Sequence, residues 1–507
     1  MRRNIGIFFS YISVAVTMVT GLVLSSFLLK SLGDVEYGLY QTISSFANYL
    51  VLLEFGTGTV MTRNISVCMS RSNDLNRKEN INKNYSTVFF ISIVLSVLIF
   101  LVSMVFYLFI GNIYSNTMTE QQVAHAKNIF IFLTLYIIVY YLTQSCNGFL
   151  MGVEEYSFAK VMSIIRVVLR TLVLILIISF YQSALVIAVV DMILGTAVFL
   201  VTFFYCKVKH KVKISHKYFD KSIFKLSIPL CLALLLQAVT SQANSNVDKF
   251  VIGIMMSMES VTIYSVAQYV YQMFSTAVTI PASMYMPEVS KNLEKGLVGK
   301  EFTKTLIQPC RLTALIGGTI MCGFFAVGKQ FISILYGSDK LIAWVYALII
   351  IVPTFVNMTN IVINCVLELK NKMLVRSLTM VGTTVANIIL TVLSINKFGI
   401  IGAVVSTAIT LIIGNIIILN VYYQKSLGIK IMYLFRQSYK GILLFQILSA
   451  VAAYFVAQML SNDIIAFCIG AAIYLVLSFG LIVVFGLNDY EKSKLKSTIG
   501  KFKRKSK

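Results

Sequence analysis

Charge is scarce in this chain. Only 12% of its 507 residues are Asp, Glu, Lys or Arg, while 58% are hydrophobic. A soluble domain carries about twice that charge, so water is not the main solvent of this protein. Long polar connections are missing too. The largest, at 64–85, 111–128 and 206–226, leave no room for a catalytic domain outside a bilayer. The eight cysteines show no CxxC pair or regular spacing, which excludes a disulfide framework and a zinc site. His125, His210 and His216 are read as loop residues outside any HExxH pattern, so metal-dependent chemistry is not expected. GLVGKE, from Gly296 to Glu301, lacks the GxxxxGK[ST] spacing with which backbone amides curl around a phosphate, which excludes ATP hydrolysis. No catalytic residue, metal or cofactor is therefore expected.

What is present is a series of long apolar runs, at 8–29, 39–61, 87–110, 129–150, 162–182, 185–205 and 227–250. The series continues at 262–285, 307–327, 342–363, 374–395, 400–422, 442–460 and 464–486. Each is close to the roughly 20 residues that a helix needs to cross about 30 Å of hydrocarbon. Runs such as IFIFLTLYIIVY, Ile129 to Tyr140, do not alternate as barrel strands would. The expectation is an all-α polytopic membrane protein with about fourteen spans. The first run is longer than a signal-peptide core and lacks a small-residue cleavage site, so it reads as a retained span.

A net charge of +23 raises nucleic acid as a partner, but the distribution of the charge argues otherwise. Of the 43 Lys and Arg, 34 fall on one alternate set of connections and only Lys30, Lys127, Lys329, Lys340 and Lys397 on the other. This is the positive-inside bias, and it places both termini in the cytoplasm. The basic connections, such as KVKHKVKISHK, read as topology signals with a second attraction to anionic membrane lipids.

Polar residues inside the spans are the functional candidates, because each is costly there. In the seventh run Gln237, Ser241, Asn244, Ser245 and Asp248 share one helical face. Facing lipid, such a stripe is untenable, so it is expected to line a hydrated cavity rather than only to bond neighbouring helices. A shift of 224 residues lays Ser13 and Thr17 on Gln237 and Ser241, and Tyr40, Ser44 and Asn48 on Tyr264, Gln268 and Gln272. A shift of 215 lays Ala188 to Val190 on Ala403 to Val405. The order of these matches implies a six-span duplication. The expected organisation is an N-lobe at 1–206, a basic linker at 207–226 and a C-lobe at 227–424. Spans thirteen and fourteen follow at 425–487, then a basic tail at 488–507.

Two stretches resemble a known family. SLGDVEYGLYQTISSFANYLVLLEFGTG, Ser31 to Gly58, looks like the second-span signature of bacterial polysaccharide-repeat-unit flippases of the Wzx type. NVDKFVIGIMMSMESVTIYSVAQ, Asn246 to Gln268, resembles their turn between spans seven and eight. The resemblance implies the multidrug-exporter-like fold of the multidrug/oligosaccharidyl-lipid/polysaccharide exporter superfamily and a place in the bacterial cytoplasmic (inner) membrane. It also implies a substrate of sugars on undecaprenyl diphosphate, as in O-antigen or capsule synthesis, with a polysaccharide polymerase and a chain-length regulator as partners. Related lipid II flippases have an arginine-rich cavity in spans one, two and eight. This first span has no Arg and the eighth has Gln268 and Tyr269, which favours another lipid-linked oligosaccharide. The acidic residue that sodium-coupled drug exporters often carry in span one is absent here too, although an ion-coupled multidrug exporter of the same fold, or a lipid II flippase, remains the alternative.

A diphosphate cannot cross hydrocarbon without cations and water. Arg170, Arg311, Arg63, Arg166 and Lys249 are the candidates for binding it; Arg suits the task because its planar fork takes phosphate oxygens in pairs. Glu54, Asp191 and Asp248 are the acidic candidates. Asp191 either neutralises Arg170 or takes up a proton or sodium ion that drives alternating access.

Overall fold

The computed structural model describes residues 2–51, 56–70, 77–225, 227–228, 231, 247–284, 289, 292, 299–369, 373–488 and 491–492. Among them there is no strand. Among the described residues ten helices are long and apolar enough to cross a membrane, or eleven if Ile431–Tyr439 and Leu443–Gln458, which meet at 48°, form one bent span. The protein is therefore an all-α, multi-span membrane protein.

The first unit, Met1–Ser265, begins with α1 (Arg2–Leu50) and α2 (Thr57–Ser70). It continues with α3 (Arg77–Ile113), α4 (Glu120–Gly152), α5 (Tyr156–Ile178) and α6 (Ala184–Lys209). The expected first and second spans fall in the single element α1, which turns at Gly33, where φ is +77° and only glycine is unstrained. Just past that turn Glu36 accepts the Ala184 backbone N–H, at the start of α6, at 2.8 Å. Its carboxylate also lies 2.7 Å from Nε2 of His125, which sits in α4 and not in a loop. The second run was expected to continue to 61. Instead α1 ends at Leu50, and the chain resumes as α2 after Gly56, whose φ of +63° no right-handed helix accommodates.

Packing in α3 shows why these helices belong in lipid. Ser92, Ser96, Ile99, Ser103, Phe106 and Ile110 are buried, while Val94, Leu101 and Leu108, spaced seven apart, are more than half exposed. The serines therefore face the protein beside Ile99, Phe106 and Ile110, while other large apolar residues face outward, the reverse of a soluble helix. Ser92 and Ser145 of α4 bond hydroxyl to hydroxyl at 2.5 Å across the interface.

In the second unit, Val266–Lys507, lie most of α7 (Met258–Met284), then α8 (Gly299–Tyr336), α9 (Ile342–Thr359), α10 (Ile361–Leu369) and α11 (Met373–Phe398). Helix α12 (Ile400–Leu411) runs through a π turn at Ile412–Ile418 into α13 (Leu419–Leu427). Then come α14 (Ile431–Tyr439), α15 (Leu443–Gln458) and α16 (Asp463–Leu481). The bend between α14 and α15 falls at Gly441, with φ of +73°.

The count of ten or eleven differs from the expected fourteen for identifiable reasons. Spans one and two are one element, and most of the seventh run lies outside the described residues. The eighth, α7, is helical, but Gln268, Gln272, Ser275, Thr276 and Thr279 keep it out of the apolar set.

Candidate functional site

Helices α5 and α6 are joined by a short turn, and Ser183 caps α6 by accepting the Leu185 N–H at 3.3 Å. Packed side by side, they bring Arg170 and Asp191 together. Arg170 Nε lies 2.5 Å from Asp191 Oδ1 and Nη2 lies 2.8 Å from Oδ2, a two-pronged pairing that matches the guanidinium fork to the carboxylate. The Asp191 side chain is 8% exposed and that of Arg170 28%, so the carboxylate is the more sheltered partner. The phenols of Tyr40 and Tyr136 lie close to this pair. Arg166, one turn before Arg170, donates from Nη2 to the Tyr136 hydroxyl at 2.6 Å, and its guanidinium stands 5.0 Å from that ring's centre.

The other cations are in different settings. Lys249 donates to Gln41 Oε1 at 3.3 Å, and neighbouring Asp248, buried, accepts the Tyr264 hydroxyl at 2.5 Å. Arg63 is exposed on α2. Arg311 of α8 is 4% exposed and fully engaged. Nε reaches Glu491 at 2.7 Å, Nη1 the carbonyls of Gln437 and Lys440 at 3.1 and 2.7 Å, and Nη2 that of Gly486 at 2.5 Å. It thus satisfies the orphan carbonyls where α14 ends and where the π turn after α16 ends.

Of the expected cavity-lining residues, Thr17, Asn48 and Gln272 are exposed, Gln268 is buried, and half-buried Ser44 donates to the Gln41 carbonyl at 3.2 Å. Ser13 belongs to α1, but its side chain lies outside the description. Gln237, Ser241, Asn244 and the acidic candidate Glu54 lie outside the described residues. Among the described residues no cluster of three metal-ligating side chains occurs. Tyr136 was not foreseen as a partner of Arg166, since a tyrosine within an apolar run gives no signal of its own. The carbonyl partners of Arg311 could not be foreseen at all, because no side-chain pattern encodes them.

This arrangement of spans is the fold of the flippases and transporters of the MOP superfamily. A solved structure of the lipid II flippase MurJ in an inward closed conformation superposes with a TM-score of 0.71 at 18% identity, over 94% of this chain and 99% of that one. An inward-facing multidrug resistance MATE family transporter gives 0.61 at 15% identity, over 81% and 95%. The MATE multidrug transporter DinF-BH, solved with R6G, gives 0.54 at 16% identity, over 84% and 96%. No curated protein matches the chain. Residues 5–293 match the family of polysaccharide biosynthesis proteins, and the chain belongs to that family.

Proposed function

We propose that this protein is a flippase that carries oligosaccharide repeat units linked to undecaprenyl diphosphate across the bacterial cytoplasmic membrane, for surface polysaccharide such as O-antigen or capsule. The observation that carries the reading is the family match over residues 5–293 in a chain with the fold of lipid and drug transporters. Both termini are cytoplasmic in this reading, as the basic connections require. The polyprenyl tail stays in lipid while the headgroup crosses by alternating access of two six-span lobes, 1–206 and 227–424. The headgroup is the part that needs protein, because stranding a diphosphate in hydrocarbon costs many kcal/mol.

Within this reading Arg170, Arg166, Arg63 and Lys249 meet the diphosphate during the cycle. The partial exposure of the Arg170 side chain, beside the phenols of Tyr40 and Tyr136, supports it as a contact. Arg311 is left out, because its donors already hold four protein acceptors. Asp191 acts as the counter-ion of Arg170, and coupling to a proton or sodium ion falls to Asp248 beside Tyr264. A polymerase and a chain-length regulator receive the product on the outer face.

Deleting the gene in its host tests the reading. Surface polysaccharide should disappear and undecaprenyl-diphosphate-linked oligosaccharide should accumulate with its sugars on the cytoplasmic side. Normal polysaccharide together with lost efflux of a cationic dye would favour the exporter alternative.

A further inference from the structure

A pocket of about 400 Å³ opens in the first unit between α2, α4 and α5. That volume lies within the roughly 300–1,000 Å³ typical of small-molecule sites. Its floor is made by missing side chains. A Cβ on Gly148 of α4 would stand 2.2 Å from the Gly58 carbonyl oxygen, and one on Gly58 would stand 3.0 Å from that of Gln144. Thr62 fastens this contact, donating to the carbonyls of Gly58 at 2.9 Å and Gly148 at 3.0 Å. With α2 and α4 backbone to backbone, the glycines at 56, 58 and 148 leave an open basin in which α4 presents Tyr140, Gln144 and Asn147. These share one helical face at spacings of three and four. Lys160 and Ser163 line the opposite wall from α5.

The side chains of Gln144, Asn147 and Lys160 have no hydrogen-bond partner among the described residues. Amides within a membrane helix ordinarily bond a neighbouring helix. Here two amides and an ammonium line a void instead, and polar groups without a partner among the described residues need water or a ligand. Each amide offers two donors and an acceptor, which complements the hydroxyls of a sugar ring. An ammonium is a point charge suited to a phosphate.

We propose that this pocket binds the sugar attached to the diphosphate, Gln144 and Asn147 bonding its hydroxyls and Lys160 meeting the adjoining phosphate. The inference rests on the flippase reading and adds where the sugar is held. Lys160 stands near the start of α5, at the basic end that the proposed topology places in the cytoplasm, so this is a site for loading the headgroup before it crosses.

Binding to full-length protein in detergent tests it, with undecaprenyl-diphosphate-N-acetylglucosamine and undecaprenyl diphosphate as probes. The wild type should prefer the sugar-bearing lipid by about tenfold or more, the yield of one or two amide hydrogen bonds. Two variants should bring the preference to within about twofold: Gln144→Leu with Asn147→Leu, and Ser163→Phe, which fills the basin from α5 without touching the α2–α4 contact. A preference that survives in the well-folded Ser163→Phe protein overturns the pocket assignment and leaves the flippase reading standing. Wild-type protein that binds neither probe better than phosphatidylglycerol overturns both.

Discussion

Arg170 holds Asp191 with two nitrogens, at 2.5 and 2.8 Å, across the α5–α6 interface. Removing either partner leaves a sheltered charge without its complement, so Asp191→Asn or Arg170→Ala alone should destabilise the protein by about 1.5–3 kcal/mol. Removing both should cost less than the sum, because neither charge is then stranded. A double-mutant cycle on thermal unfolding in detergent measures the coupling. Additive single losses would mean that the pair contributes nothing.

Gly148 should not tolerate even a methyl group, since the added Cβ would stand 2.2 Å from the Gly58 carbonyl of α2. We expect Gly148→Ala to destabilise by about 1–3 kcal/mol through overpacking. Gly111→Ala is the matched control. Its Cβ meets only Val123 Cγ1 at 3.7 Å, and it should be neutral or slightly stabilising. Equal melting temperatures for the two variants would contradict the close contact of α2 and α4.

Arg311→Lys should fail to replace the arginine, because one ammonium cannot span carbonyls at the ends of two helices and a carboxylate. Loss of the clamp should raise hydrogen exchange at 437–442 and 482–488 while leaving exchange in α4 unchanged. Unaltered exchange in those two segments would show that the clamp is dispensable.

Glu155, in the connection between α4 and α5, predicts an acid dependence of stability. Burial alone would raise its carboxyl, but hydrogen bonds from Lys209, Tyr205 and His210 outweigh that and hold it below the ordinary value of 4.5. A depressed carboxylate stabilises fully above its unfolded pKa, and the benefit is lost as pH falls through the folded value. Glu155→Gln should therefore lower the melting temperature at pH 7 and flatten the acid limb below about pH 4.5. A variant whose melting curve parallels the wild type at every pH would exclude the tether.

Hydropathy made most of the helices legible, because apolar length is a strong signal, and the resemblance at Ser31–Gly58 pointed to the family that the match over 5–293 supports. The break after Leu50 was not legible, since the span was read on hydropathy across 39–61 and the glycines at 56 and 58 leave that apolar stretch its length. The pairing of Arg170 with Asp191 was one of the two roles open to that carboxylate from the sequence, whereas the engagement of Arg311 was not legible, because it depends on main-chain carbonyls. The pocket escaped for a related reason. Its polar groups come from three helices and are singly unremarkable, and only the Gly58–Gly148 contact gathers them.

The most direct measurement is reconstitution of the purified protein in liposomes carrying a fluorescent undecaprenyl-diphosphate-linked oligosaccharide, with quencher added outside. The account predicts protein-dependent movement of the headgroup between leaflets, strongly reduced by Arg170→Ala and unaffected by Gly111→Ala. A rate equal to that of protein-free liposomes, in a preparation that still transports a cationic dye, would contradict it.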